Sequence, residues 1–144
     1  MSINNHGRAV GFSEAPGGDH RAVLWGSWPS AWVGPLITLP ATDLQPSLDP
    51  AAVGSEASDI NDGGTIVGHW RDAKDKKGYW REYAFKLENT KSSTLSLLGG
   101  DIVSGAWGVN ESGDIVGYGL RARARRECAL TGRTQSRARP LRAG

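Results

Sequence analysis

Apolar residues in this chain come in short runs closed by glycine, asparagine, aspartate or proline. Examples are Gly64-Thr65-Ile66-Val67-Gly68-His69-Trp70, Tyr83-Ala84-Phe85-Lys86-Leu87 and His20-Arg21-Ala22-Val23-Leu24-Trp25. These runs are too short for helices and rich in β-branched and aromatic residues, and no long stretch repeats its apolar positions at helical spacing. The pattern predicts strands. They fall near residues 8–12, 20–25, 35–39, 55–60, 64–70, 81–87, 94–98, 104–109 and 114–119.

The runs repeat. Ile3-Asn4-Asn5-His6-Gly7-Arg8-Ala9-Val10-Gly11 returns as Ile60-Asn61-Asp62-Gly63-Gly64-Thr65-Ile66-Val67-Gly68. It returns again as Val109-Asn110-Glu111-Ser112-Gly113-Asp114-Ile115-Val116-Gly117, with the leading asparagines 57 and 49 residues apart. A period of that size marks a solenoid or propeller. The second and third copies are preceded by Ser-x-Ala, at Ser55-Glu56-Ala57 and Ser104-Gly105-Ala106. Asn-x-x-Gly between β-rich runs reads as a hairpin turn: the asparagine side chain bonds the nearby backbone, and glycine accepts positive φ. The glycine that closes each phrase, Gly11, Gly68 or Gly117, suggests close approach of another backbone. Val10, Val67 and Val116, one position earlier, should face the opposite side.

The order Ser-x-Ala-x-x-Ile-Asn, Gly-x-Ile-Val-Gly, His-Ala-Phe and a closing Leu-Gly-Gly resembles the HAF repeat family of bacterial proteins, mostly regarded as extracellular. The His-Ala-Phe run is degenerate here, as His20-Arg21-Ala22-Val23 and Tyr83-Ala84-Phe85. The resemblance covers roughly residues 2 to 120. It implies tandem four-stranded units arranged like propeller blades, a place outside the cell or on its surface, and no assigned catalytic residues. The expected fold is therefore all-β: tandem four-stranded antiparallel units in an incomplete β-propeller-like array of about three repeats. Unit 1 spans residues 1–54 and lacks its first strand, unit 2 spans 55–103, and unit 3 begins at 104–120. Propellers close with about four to eight blades, so the array is expected to be a fragment, to stack with open ends, or to self-associate through them.

Composition agrees with this reading, with 20 Gly and 7 Pro in 144 residues. Charge divides the chain. Residues 1–120 carry nine basic and 14 acidic side chains, net −5, whereas residues 121–144 carry eight Arg and one Glu, net +7, giving the overall +2. The Arg-rich tail is expected to be degenerate or disordered. It reads as a decayed end of unit 3, with Glu127-Cys128-Ala129-Leu130 where the third His-Ala-Phe run belongs, or as an out-of-frame translation. Binding of nucleic acid or anionic lipid is the weaker reading, since charge runs alone say little. Cys128 is the only cysteine, which leaves no intrachain disulfide or cysteine metal cluster. No signal peptide is visible at the polar start, and no run approaches a membrane span.

Chemistry is sparsely written. His6, His20 and His69 show no metal-ligand spacing, and Asp59-Ile60-Asn61-Asp62-Gly63-Gly64 lacks the closing glutamate of a calcium loop. Both are better explained by strand ends and turns. Asn110-Glu111-Ser112 is a formal glycosylation sequon whose asparagine belongs to a turn. No nucleophile elbow or phosphate loop is present, and neither cofactor nor metal is expected. The six tryptophans remain. Trp70 and Trp80 flank the longest polar insertion, residues 71–78, and aromatic faces beside charged loops suit glycan or protein binding. The expected ligand-binding residues are Trp70, Tyr79, Trp80, Lys76 and Lys77. The expected function is non-catalytic recognition of a protein or glycan. The alternative is a carbohydrate-active enzyme of propeller type, which convergence of Asp19, His20 and Asp59 on one concavity would favour.

Overall fold

A computed structural model of the chain describes residues 1–26, 41–74, 78, 80–95, 101–121 and 124–130. The described residues are mostly β. The strands are β1 (Ser2–Ile3), β2 (Ala9–Glu14), β3 (His20–Trp25), β4 (Ala41–Asp43), β5 (Gly54–Ile60), β6 (Ile66–Arg71), β7 (Glu82–Glu88), β8 (Lys91–Thr94), β9 (Asp101–Val109), β10 (Ile115–Arg121) and β11 (Ala124–Leu130), with one 3-10 turn at Gln45–Ser47. Strands β1-β2-β3-β4 form a four-stranded antiparallel sheet. A larger sheet runs β11-β10-β9-β7-β6-β5, with β8 paired to β7. Its two halves, β5–β8 and β9–β11, are each antiparallel. They join through a parallel pair, Glu82 with Val103. No closed barrel or propeller forms among the described residues.

Most expected strands appear within two residues of their predicted bounds. The strand expected at 35–39 lies outside the described residues. Most of the one expected at 94–98 also lies outside the described residues; before it, a tight turn after β7, in which Asn89 and Thr90 adopt φ of 48° and 68°, leads into the short strand Lys91–Thr94. Strands β1 and β4 were not anticipated. Within the Arg-rich tail, Ala124–Leu130 pairs with β10 through seven register positions, at the place where the third His-Ala-Phe run belongs. Among the described residues β11 ends its sheet, and a charged sequence at such a position discourages further pairing.

The repeated phrase adopts one register three times. Ser2 faces Val10 and Ile3 faces Ala9; Asp59 faces Val67 and Ile60 faces Ile66; Gly108 faces Val116 and Val109 faces Ile115. The closing glycine then faces Val23, Phe85 or Cys128 on the next strand. In each turn the asparagine carbonyl accepts the N–H of the glycine three residues on, and that glycine has φ of 72°, 84° or 82°. The asparagine Oδ1 accepts further turn N–H groups, from His6 and Arg8, from Thr65, and from Asp114. This is the turn chemistry that Asn-x-x-Gly predicts.

The close approach expected at the closing glycines holds at two of them. Strands β5 and β9 each bulge, and the bulge lays a carbonyl, of Glu56 or Gly105, where a side chain on Gly68 or Gly117 would have to go. Gly11 differs, because its nearest neighbours are the Trp25 and Met1 side chains, 3.2 and 3.3 Å from an added Cβ.

Two apolar clusters lie between the sheet segments. The larger joins Val10 and Ala22 of the first sheet, and Leu44 and Leu48 on either side of the 3-10 turn, to Ala57, Ile60, Ile66, Trp70, Phe85 and Leu87. The smaller joins Val67 and Ala84 to Ala106 and Ile115. Strand alternation explains the split: Ile66 and Trp70 point toward the first sheet, and Val67 points toward β9 and β10. Val10 and Val67 are completely buried, but Val116 is 52% exposed. Val116 holds the same position of the repeat as the other two and differs because no described segment covers its face.

Candidate binding surface

Polar signature residues of the repeat hold neighbouring segments together. Asn4 Nδ2 donates to the carbonyl of Asn61 at 3.1 Å, and Asn61 Nδ2 donates to the carbonyl of Asn110 at 3.0 Å. One residue further on, the Asn5 N–H donates to Asp62 Oδ1 at 2.7 Å, and the Asp62 N–H donates to Glu111 Oε1 at 3.0 Å. The serines of Ser-x-Ala behave alike: Ser55 Oγ accepts from Ala22 N and Ser104 Oγ from Ala84 N, at 3.0 and 2.8 Å. Both serines are buried, and a buried N–H needs such a partner. Asp59 receives Ser2 Oγ on one oxygen and the Val109 N–H on the other. The calcium-loop and sequon residues are thus engaged in turns and joints.

Asn5 also donates through Nδ2 to Asp62 Oδ2 at 2.6 Å. These Asn5 bonds hold the Asp62 carboxyl below its ordinary pKa, the side-chain bond contributing most. The Lys86 side chain, 2.9 Å from Glu88 Oε1, likewise lowers the Glu88 carboxyl.

At the far ends of the strands the groups are of a different kind. Asp19 and His20, from the hairpin between β2 and β3, meet the second segment there. His20 Nδ1 lies 2.6 Å from Glu56 Oε1, and Arg71 Nη2 donates to Asp19 Oδ1 at 2.7 Å. His20 stacks on Phe12 at 4.4 Å. A cavity of about 50 Å³, lined by His20, Glu56, His69, Arg71 and Glu82 among others, opens between the segments. Tyr118 donates to Glu82 Oε2 at 3.1 Å. Asp19 and His20 therefore come together with Arg71 and Glu56, but Asp59 stands apart in the joint described above.

The aromatic residues expected to bind ligand part company. Trp70 is 6% exposed and belongs to the larger apolar cluster, stacked on Tyr83 at 4.3 Å. Its placement on an open surface is corrected: alternation along β6 turns it inward with Ile66. Burial, aided by the nearby Asp72 carboxylate, raises the Tyr83 pKa. Trp80 is 44% exposed. The Arg71 guanidinium lies 4.8 Å from its ring centre and the Lys74 ammonium 4.2 Å. Asp72 ties the base of this hairpin: its N–H donates to the Arg81 carbonyl, its Oδ1 accepts the Arg81 N–H, and its Oδ2 accepts the Tyr83 hydroxyl at 3.2 Å. Lys76, Lys77 and Tyr79 lie outside the described residues. Arg71 and Lys74, the two cations at the Trp80 ring, were not among the expected binding residues. Their position on either side of Asp72 in the insertion was visible, but the folding of both toward Trp80 was not.

Among the described residues, no group of three or more His, Cys, Asp or Glu is placed to hold a metal ion, and no helix is long and apolar enough to cross a membrane. Comparison with protein-family models, with curated proteins and with solved structures finds no match.

Proposed function

We propose that this chain is a non-catalytic binding module: a tandem array of blade-like β units, of the kind the HAF resemblance implies, working outside the cell or at its surface. The ligand is a protein or glycan bearing acidic groups, and it is met by the hairpin between β6 and β7. The observation that carries this is Trp80, a half-exposed indole with two cations at its ring on a hairpin tied at its base. An exposed indole offers area for a sugar or apolar face, and cations beside it pair with carboxylates or sulfates. Recurrence of one register in three segments supports the array, as do the asparagine and serine joints between them.

A glycan array and a pull-down with the purified chain test this. Trp80→Ala and Lys74→Ala should each weaken binding at least several-fold, with binding falling as salt rises. Binding indifferent to both substitutions moves the site elsewhere.

One observation favours the second reading, a carbohydrate-active enzyme. Glu56 and Glu82 line a common cavity with His20 and His69, and paired carboxylates are the machinery of glycoside hydrolysis. Polysaccharide hydrolase or lyase activity abolished by Glu56→Gln or Glu82→Gln would replace the binding reading with that one.

A further inference from the structure

The joints between segments are directional. Each segment has a donor face, which gives its asparagine Nδ2 and the next N–H to its successor. Each also has an acceptor face, which receives them. Apolar groups follow the same direction. Val10 and Val67 lie on donor faces and are fully buried by the segment that follows. Ile60 lies on the acceptor face of the second segment and is 4% exposed, and Val109 packs equivalently against the smaller cluster.

Two faces stay open among the described residues. The third segment has an unused donor face, where Val116 is 52% exposed and Trp107 nearby is 50% exposed. With no successor among the described residues, Asn110 Nδ2 donates to Asp114 Oδ2 in its own turn at 3.0 Å. The first segment has an unused acceptor face, where Ile3 is 64% exposed. The Asn4 carbonyl accepts only the Gly7 N–H among the described residues, whereas the Asn61 and Asn110 carbonyls each accept a second bond from the preceding asparagine. A groove of about 250 Å³ lined by Trp25, Val23, Arg21 and Asp43 lies beside β3 and β4 in the same sheet.

We infer that copies of this chain stack head to tail, the donor face of the third segment seating on the acceptor face of the first segment of another copy. The inference rests on the array reading, not on the Trp80 surface. Val116 takes the place against Ile3 that Val67 takes against Val109. Asn110 Nδ2 reaches the Asn4 carbonyl, and the Glu111 N–H reaches Asn5 Oδ1. The partner is this chain itself, because the two open faces are the halves of a joint the chain already makes twice. Such a contact is heterologous, so it produces rings where the rotation closes and open stacks where it does not.

Sedimentation velocity over a concentration series of the full chain tests this. The wild type should sediment as species larger than one chain, growing with concentration. Val116→Lys and Ile3→Lys, at exposed positions, should each leave single chains with unchanged circular dichroism. Mixed in equal amounts they should restore one species of two chains and nothing larger, because one intact donor face then meets one intact acceptor face. Should either lysine variant unfold, Val116→Thr and Ile3→Thr carry the same measurement, with association weakened at least tenfold. A wild type monomeric throughout, a mixture that stays monomeric, or Ile3→Lys associating as the wild type does would each overturn head-to-tail stacking.

Discussion

The junction between the first and second segments and the junction between the second and third are built on one plan and filled differently. Both carry an asparagine-to-carbonyl bond, a serine beneath a backbone N–H and a valine from the donor face. The first encloses Trp70, Phe85, Leu87, Leu44, Leu48 and three isoleucine or valine side chains. The second encloses two alanines, one valine and one isoleucine. The polar frame sets how the segments register, and the apolar filling sets how firmly they hold. Hydrophobic burial scales with area, at about 25 cal/mol per Å², so one frame can carry joints of unequal strength.

Breaking the larger filling should have the greatest effect. Phe85 is fully buried in the first junction, and Phe85→Ala should cost about 3–5 kcal/mol. Ile115, 1% exposed in the second, should cost nearer about 2 kcal/mol as alanine, since few large neighbours surround it. Urea denaturation of both variants measures the gap, and equal losses would erase the distinction between the junctions.

The closing glycines sharpen the comparison next. Gly68→Val should cost about 1–3 kcal/mol or more, because the bulged Glu56 carbonyl occupies the space. Gly11→Ala should cost less, since the Trp25 and Met1 side chains can shift where a backbone cannot. Gly17, with open space around it, is the control, and its alanine variant should stay within about 0.5 kcal/mol of wild type. Gly78 also has open space but sits at φ of 82°, so a substitution there carries backbone strain of its own. Equal denaturation midpoints for Gly68→Val and Gly17→Ala would remove the close-approach account.

The smallest effect is electrostatic and belongs to the first junction. The folded pKa of Asp62 lies below its ordinary value of 3.8 because Asn5 bonds the charged form. A depressed carboxylate stabilises the folded state above the unfolded pKa, and that contribution fades as pH falls through the folded value. Acid titration should therefore loosen the contact between Asn5 and Asp62 below about pH 4. In Asp62→Asn that loss should be absent, as amide exchange at Asn5 would report.

Much of this architecture was legible in the chain. Asn-x-x-Gly named its turns because the bonds that make them lie within five residues. The strands were legible because each apolar run is bounded by those turns. The Ser-x-Ala serines were visible as a pattern, but their task was not, since the N–H groups they satisfy lie 33 and 20 residues away. Trp70 was misplaced for a related reason. Its loop neighbours suggested a surface, and only the packing of that face of β6 against the first sheet buries it. Arg71 and Lys74 joined the candidate surface only once the hairpin folded both toward Trp80.

By itself, the sequence determined what depends on local bonding and period: an all-β chain, three copies of one turn, and glycine where positive φ or a bulged carbonyl demands it. Tertiary structure decided the rest, because equivalent residues acquire different environments according to what stacks on them. Val67 and Val116 stand at one position of one repeated phrase. The first is buried because a sheet segment follows it, and the second is open because none does among the described residues.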